Sequence, residues 1–327
     1  MKKILLAVTA ALAITSCSQN EEFENAAQNA EIGFSTIVSK TTRAGITKID
    51  ELKKSGFTVY AYNTGANVAG TAEATLANPI FPTSGLGVTY PVDKWTYTGT
   101  YYWPLNDNVQ FFAYATDASV TGYDATGLYP TFKYAIDADV DKQKDFVVAK
   151  AVNQTKPAGD LSLNFTHALT QVNFSVIGAD DKTYKISSIS IQGVAASGVY
   201  SFKDDKWTPT ANETTGSYAY PIAKDASVSS STNAVNLDQS NGALMLMPQA
   251  MTENAKILIS YTVYDGETLI AESTNTAVPL KDAAAWEPGK KVRYTLKLAN
   301  NAVSMSFKPE VGEWSTSDDT PVNGDAK

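Results

Sequence analysis

Histidine and cysteine, the side chains most used for nucleophilic and zinc chemistry, are scarce in this chain. Its 327 residues include one histidine, His167, and one cysteine, Cys17. A hydrolase triad would have to use His167, which lies between the strand-like Leu163-Asn164-Phe165-Thr166 and Ala168-Leu169-Thr170. No Gly-x-Ser-x-Gly turn is present to expose a serine nucleophile. One imidazole and one thiol cannot build a zinc site of the usual type. Asp137, Asp139, Asp141 and Asp145 fall at positions one, three, five and nine of a calcium loop. Lys142 stands where that loop needs glycine and Val148 where it needs a bidentate glutamate, so the run reads as a solvated acidic turn. Carboxylates for glycoside hydrolysis are plentiful, but their spacing in sequence fixes no separation in space. His167 is therefore expected to be a hydrogen-bonded structural residue at a domain junction. The chain is expected to be no enzyme and to use no metal or cofactor.

Cys17 points to a different chemistry. Lys2 and Lys3 precede an apolar run from Ile4 to Ile14, and Thr15-Ser16-Cys17 closes it. This is the pattern of a secretory signal, too short to span a bilayer as a mature helix. Ile14-Thr15-Ser16-Cys17 resembles a lipobox, with Ile and Thr as loose matches at its first two positions. A thioether lipid on Cys17 plus an N-acyl chain would give the multiple acyl groups that stable anchoring requires. Residues 1–16 then form the signal peptide.

After Cys17 no thiol remains, so stability must come from core burial, which a chain of this length can supply, plausibly as two domains. A net charge of −8 with no basic stripe argues against nucleic acid. Residues 18–30 are polar or small apart from Phe23 and read as a tether.

The elements that follow are strands. Ile32, Phe34, Thr36 and Val38 recur with period two and place one apolar face on an N-terminal strand. Arg43 comes next, flanked by small residues, an accessible site for cleavage before Ala44 by a trypsin-like protease. Ile46 to Ser55 is predicted to be a short helix ended by Gly56. Strands are predicted at Phe57–Tyr62, Val109–Ala115, Thr131–Ile136, Asp145–Ala151, Leu161–Thr166, Val172–Ile177, Lys185–Ile191, Tyr218–Ile222, Ala243–Met247, Ile257–Tyr264, Thr268–Ala271, Lys291–Leu298 and Val303–Phe307. Asp265-Gly266 predicts a type I′ hairpin between two of them. Short strands without alternating helices indicate an all-β chain of sandwiches. The polar stretch Asn153 to Asp160, with Pro157 and Gly159, suggests a domain boundary. The expected organisation is a tether and N-terminal strand over 17–43, one β-sandwich over 44–160 and another over 161–327.

Tyr101-Tyr102-Trp103-Pro104 followed by Val109-Gln110-Phe111-Phe112-Ala113-Tyr114 resembles a landmark of the fimbrillin-like (FimA/Mfa-like) family of Bacteroidetes, subunits of type V pili. Asp145-Phe146-Val147-Val148-Ala149, Leu163 to Leu169, Trp286-Glu287-Pro288-Gly289-Lys290 with Arg293-Tyr294-Thr295-Leu296, and Trp314 are similar to later landmarks in the same order. The resemblance spans nearly the whole chain. It implies two transthyretin-like β-sandwich domains in tandem and a structural pilin. Implied partners are other pilin subunits, the outer membrane through the lipid before processing, and host or bacterial surface receptors. The acidic residues after Cys17 resemble an export signal for the outer cell face, and they equally suit a plain linker.

The residues fit that role. If cleavage follows Arg43, the strand carrying Ile32, Phe34 and Val38 can leave, exposing an apolar groove and an unpaired edge that templates another chain. Val303, Met305, Phe307 and Val311 alternate with polar residues and form a candidate donor strand, or the last strand of their own domain. The alternative function is a monomeric glycan-binding surface lipoprotein. Its candidate platform is Trp95, Tyr97, Tyr101 and Trp103, separated by even numbers of residues, although core packing is the commoner use of aromatics in strands.

Overall fold

The computed structural model describes residues 30–38, 49–115, 120–210, 215–224, 226–229, 231–237, 242–300, 302–305 and 310–313. The described residues are nearly all β, with one short α-helix among them, Ile49–Ser55. That helix ends at Gly56, where φ is +71° and the N–H donates to Leu52 O. Its predicted start before residue 49 lies outside the described residues.

Period-two alternation builds a six-stranded sheet with two apolar faces. Its order is Phe34–Val38, Leu161–His167, Val147–Gln154, Val109–Ala115, Phe57–Asn63 and Leu86–Val88. The Phe34–Val38 strand is parallel to its neighbour, and the other pairs are antiparallel. Phe57, Val59, Ala61, Phe111 and Ala113 enter a core shared with Leu52, Phe81 and Trp103. Tyr60, Tyr62 and Phe112 point to the opposite face, against Phe132, Tyr134, Tyr200 and Phe202. Those four rings belong to a four-stranded sheet ordered Lys206–Pro209, Ser197–Ser201, Thr131–Ala135 and Thr121–Asp124, apart from Phe202, which follows the second.

The remaining strands form a sandwich. One sheet runs Thr215–Ala219, Thr183–Ala195, Lys256–Asp265, Thr268–Pro279. The other runs Val235–Asn236, Thr170–Gly178, Lys290–Ala299, Ala302–Met305, with Glu310–Glu313 also on Lys290–Ala299. Ile257, Ile259 and Val263 of the first share a core with Val172, Phe174 and Leu296 of the second.

Two expectations change. The division after residue 160 does not part the structure: Leu161–His167 belongs to the first sheet, and Thr131–Ala135 pairs with Ser197–Ser201 across that point. The polar Asn153–Asp160 stretch joins two strands of one sheet. The Asp265-Gly266 hairpin forms, but positive φ falls on Gly266 alone, whereas the I′ turn needs it at both central residues.

Candidate functional site

The N-terminal strand sits in a groove at the edge of the six-stranded sheet. Ile32, Phe34 and Val38 are buried, while Ile37 on the other face is 60% exposed. Phe34 lies in an aromatic pocket, with ring centroids of Phe57, Tyr97, Phe81 and Phe111 at 5.8, 6.0, 6.2 and 6.4 Å. Beneath the strand, Leu161, Leu163 and Phe165 complete the floor.

The Leu161–His167 strand depends on this partner. Phe34 through Val38 pair in register with Leu161 through Phe165. On its other side, Leu161–His167 pairs with Val147–Gln154 only at Val147↔His167 and Val148↔Thr166. Without the N-terminal strand, Leu161–Phe165 would keep no ladder neighbour among the described residues, a costly state for buried backbone.

The aromatic residues read as a glycan platform form the outer wall of the groove. Trp95 Nε1 donates to Thr36 Oγ1 at 3.0 Å, and Tyr97 OH donates to Ile32 O at 2.5 Å. Burial, with Glu31 nearby, pushes the Tyr97 phenol well above the ordinary tyrosine range. Tyr101 packs on Phe81, its carbonyl accepting the Ile32 N–H at 2.9 Å, and Trp103 is buried against Phe111. The four rings are thus engaged with the strand and core rather than lying side by side in solvent.

At the other end of the chain, Ala302–Met305 and Glu310–Glu313 run antiparallel to Lys290–Ala299, an edge position in their own sandwich. Val303 is half-buried and Met305 is buried. Val311 pairs with Val292. Phe307, like Cys17, Arg43, Ala44 and Trp314, lies outside the described residues.

His167 Nδ1 lies 2.7 Å from Asp145 Oδ2, and both side chains are almost wholly buried. Asp145 Oδ1 accepts from the Phe146 N–H at 2.8 Å. The pair stands where the first sheet hands over to the C-terminal sandwich: only Ala168 and Leu169 separate Leu161–His167 from Thr170–Gly178. Trp207 Nε1 donates to Ala168 O at 2.6 Å across the same junction. Asp145 is therefore no member of a calcium loop. Asp139 accepts from the Asp141 N–H and pairs with Lys142 at 3.1 Å, as an acidic turn does. Among the described residues, no group of three or more His, Cys, Asp or Glu is placed to hold a metal.

The sequence reading missed the groove walls supplied by Phe57, Phe81 and Phe111 and the floor supplied by Leu161, Leu163 and Phe165. The alternation Leu-x-Leu-x-Phe was visible. Its pairing with a strand so far upstream carried no local signal.

Residues 42–314 match the family model described as fimbrillin-like. The chain is 27% identical to fimbrium subunit Fim1C of Phocaeicola vulgatus, over 98% of each protein. A solved fimbrial protein from Bacteroides vulgatus superposes with a TM-score of 0.68 at 19% identity, covering 88% of this chain and 100% of that one. The latter likeness concerns the fold.

Proposed function

Because the chain belongs to the fimbrillin-like family, we propose that it is a structural pilin, exported as a lipoprotein on Cys17 and assembled after proteolysis at Arg43 by exchange of its N-terminal strand. Family membership places it among cell-surface fimbrial subunits, whose function requires contact with other subunits.

The observation that carries the assembly reading is the one-sided pairing of Leu161–Phe165 with a strand lying just upstream of Arg43. Burial of Ile32, Phe34 and Val38 contributes roughly 5–9 kcal/mol gross, at about 1.5–3 kcal/mol each. Covalent attachment spares the strand an association cost of about 4 kcal/mol or more. A cut removes that advantage, and a strand of only a few residues is then held weakly enough to be replaced. The chain has two arginines, Arg43 and Arg293. Arg293 is buried within Lys290–Ala299 and donates to Phe174 O and Ser175 Oγ, so a folded chain shields it from an Arg-specific protease.

Arg43→Ala tests the proposal. The variant should remain a folded monomer under an Arg-specific protease, while the wild type loses residues through Arg43 and forms fibres. Mass analysis of the fibres, alongside electron microscopy of the variant, decides it. Fibres whose subunits still carry residues upstream of Ala44 would refute strand removal.

A further inference from the structure

We infer that the parallel pair formed by Thr170–Gly178 and Lys290–Ala299 bears the tension on this subunit, loaded in shear, with Arg293 as a brace between the two strands. A fimbrial subunit stands in series with its neighbours and bears whatever pull the fibre bears. On the proposed strand exchange, on which this much rests, that pull enters beside Leu161–Phe165.

The path from there is short. Only Ala168 and Leu169 join Leu161–His167 to Thr170–Gly178. Thr170–Gly178 lies parallel to Lys290–Ala299, in unbroken register from Gln171↔Lys291 to Gly178↔Leu298. Gln171 stands at the junction with the first sheet, and Leu298 stands at the end remote from it. Holding the first sheet and drawing on the chain beyond Ala299 therefore pulls the two strands lengthwise in opposite directions. All rungs of the ladder meet that load at once, and none opens before the rest. In an antiparallel pair the same two chain ends would lie side by side, and the load would open the ladder one rung at a time. The neighbouring pairs of Lys290–Ala299 with Ala302–Met305 and Glu310–Glu313 are antiparallel. A pull on that returning segment peels it away and passes the load to Ala299.

Side chains oppose sliding as well. Val172 and Phe174 of one strand share a buried core with Val292, Tyr294 and Leu296 of the other, and the Phe174 and Tyr294 rings stack at a centroid distance of 6.1 Å. A slip of one residue would turn each of them to the opposite face of the sheet. The buried Arg293 reaches across the pair and donates from Nη1 to Phe174 O at 3.2 Å and to Ser175 Oγ at 3.3 Å. Both ends are fastened. At the junction Gly289 N–H donates to Leu169 O at 2.9 Å, and Thr170 Oγ1 donates to Glu287 O at 2.7 Å. At the far end Ala179 N–H donates to Leu298 O at 2.7 Å.

Single-molecule pulling on the monomer tests the clamp without any fibre. Cys17→Ala removes the one native thiol, so handles attach only to introduced cysteines. Asn164→Cys with Asn300→Cys gives the lengthwise pull, and Ala179→Cys with Asn300→Cys pulls the same pair from one end. All three positions are exposed. Rupture force reports a rate, so both handle pairs are compared at one loading rate. The lengthwise pull should need a several-fold higher force and should release the chain between the handles in a single step. Arg293→Met, checked for folding by circular dichroism, should lower the lengthwise force. Should that variant not fold, Ser175→Ala, which takes away one acceptor of Arg293, serves in its place. Equal forces for the two handle pairs, or a lengthwise pull that yields in a series of small low-force steps, overturn the clamp, and an unchanged force in the variant overturns the brace. Because no fibre forms in this experiment, these results leave the strand exchange to be decided by the Arg43→Ala fibres.

Discussion

Phe34→Ala should weaken the precursor and leave the fibre unchanged. Phe34 is 4% exposed and meets Phe57 edge-on at a centroid distance of 5.8 Å, with Tyr97, Phe81 and Phe111 completing the pocket. Replacing a buried Phe with Ala costs about 3–5 kcal/mol. The strand lies at a sheet edge and the pocket can partly close, so the lower end, about 3 kcal/mol, applies. At about 1.4 kcal/mol per tenfold, the population with the strand undocked rises on the order of a hundredfold. The assay uses the Arg43→Ala background, so that cleavage cannot intervene. Urea unfolding followed by tryptophan emission reports on the groove, because Trp95 bonds to Thr36 of the strand. The midpoint should fall at constant slope, the signature of a stability change in one folded form.

The same substitution in a cleavable chain gives the contrast. If the strand leaves on cleavage, as proposed, position 34 is absent from the fibre. Fibres grown from Phe34→Ala and wild-type chains should dissociate at the same urea concentration, and the variant should assemble faster if strand release limits the rate. A fibre weakened by as much as the precursor would show that Phe34 still sits in its pocket, and the reasoning from the groove would fail.

Two further outcomes follow from other parts of the chain. Cys17→Ala should abolish acylation, and the precursor should leave the detergent phase that retains the wild type; equal partitioning of both would refute lipidation at Cys17. His167→Ala should cost about 3–5 kcal/mol by stripping Asp145 of its buried partner, and His167→Gln about 1–3 kcal/mol, both measured by urea unfolding; a stably folded His167→Gln chain that cannot polymerise would assign the histidine a direct role in assembly.

Much of this was legible in the sequence because strands announce themselves by alternation. Val109–Ala115 has the predicted bounds, and the burial of Ile32, Phe34 and Val38 follows the predicted face. Neighbours across a sheet are another matter. Phe34 pairs with Leu161, and nothing local in either segment specifies a parallel partner at that separation. The aromatic wall was ambiguous for a related reason. Trp95, Tyr97, Tyr101 and Trp103 lie outside the named strands, with Gly99 at φ +93° between them, so their even spacing reflects no strand pleat. The misplaced boundary has a simple cause. Polar residues with Pro and Gly mark any surface turn, including one between two strands of a single sheet.

If assembly proceeds by the proposed strand exchange, the pairing of Leu161–His167 constrains its order of events. Its C-terminal end is fixed by Val147↔His167, Val148↔Thr166 and the buried Asp145–His167 pair. Among the described residues, its N-terminal end, Leu161–Phe165, is held at its edge by the N-terminal strand alone. Losing that strand without replacement would expose the floor formed by Leu161, Leu163 and Phe165 together with unpaired backbone. On the proposed strand exchange, a cleaved, empty subunit would be less stable than either the precursor or the fibre, and aggregation would compete with correct insertion. A donor that enters as the old strand peels away avoids the empty state. On that reading the buried junction would favour this route, because it holds one end of Leu161–His167 in place while the other end would change partner.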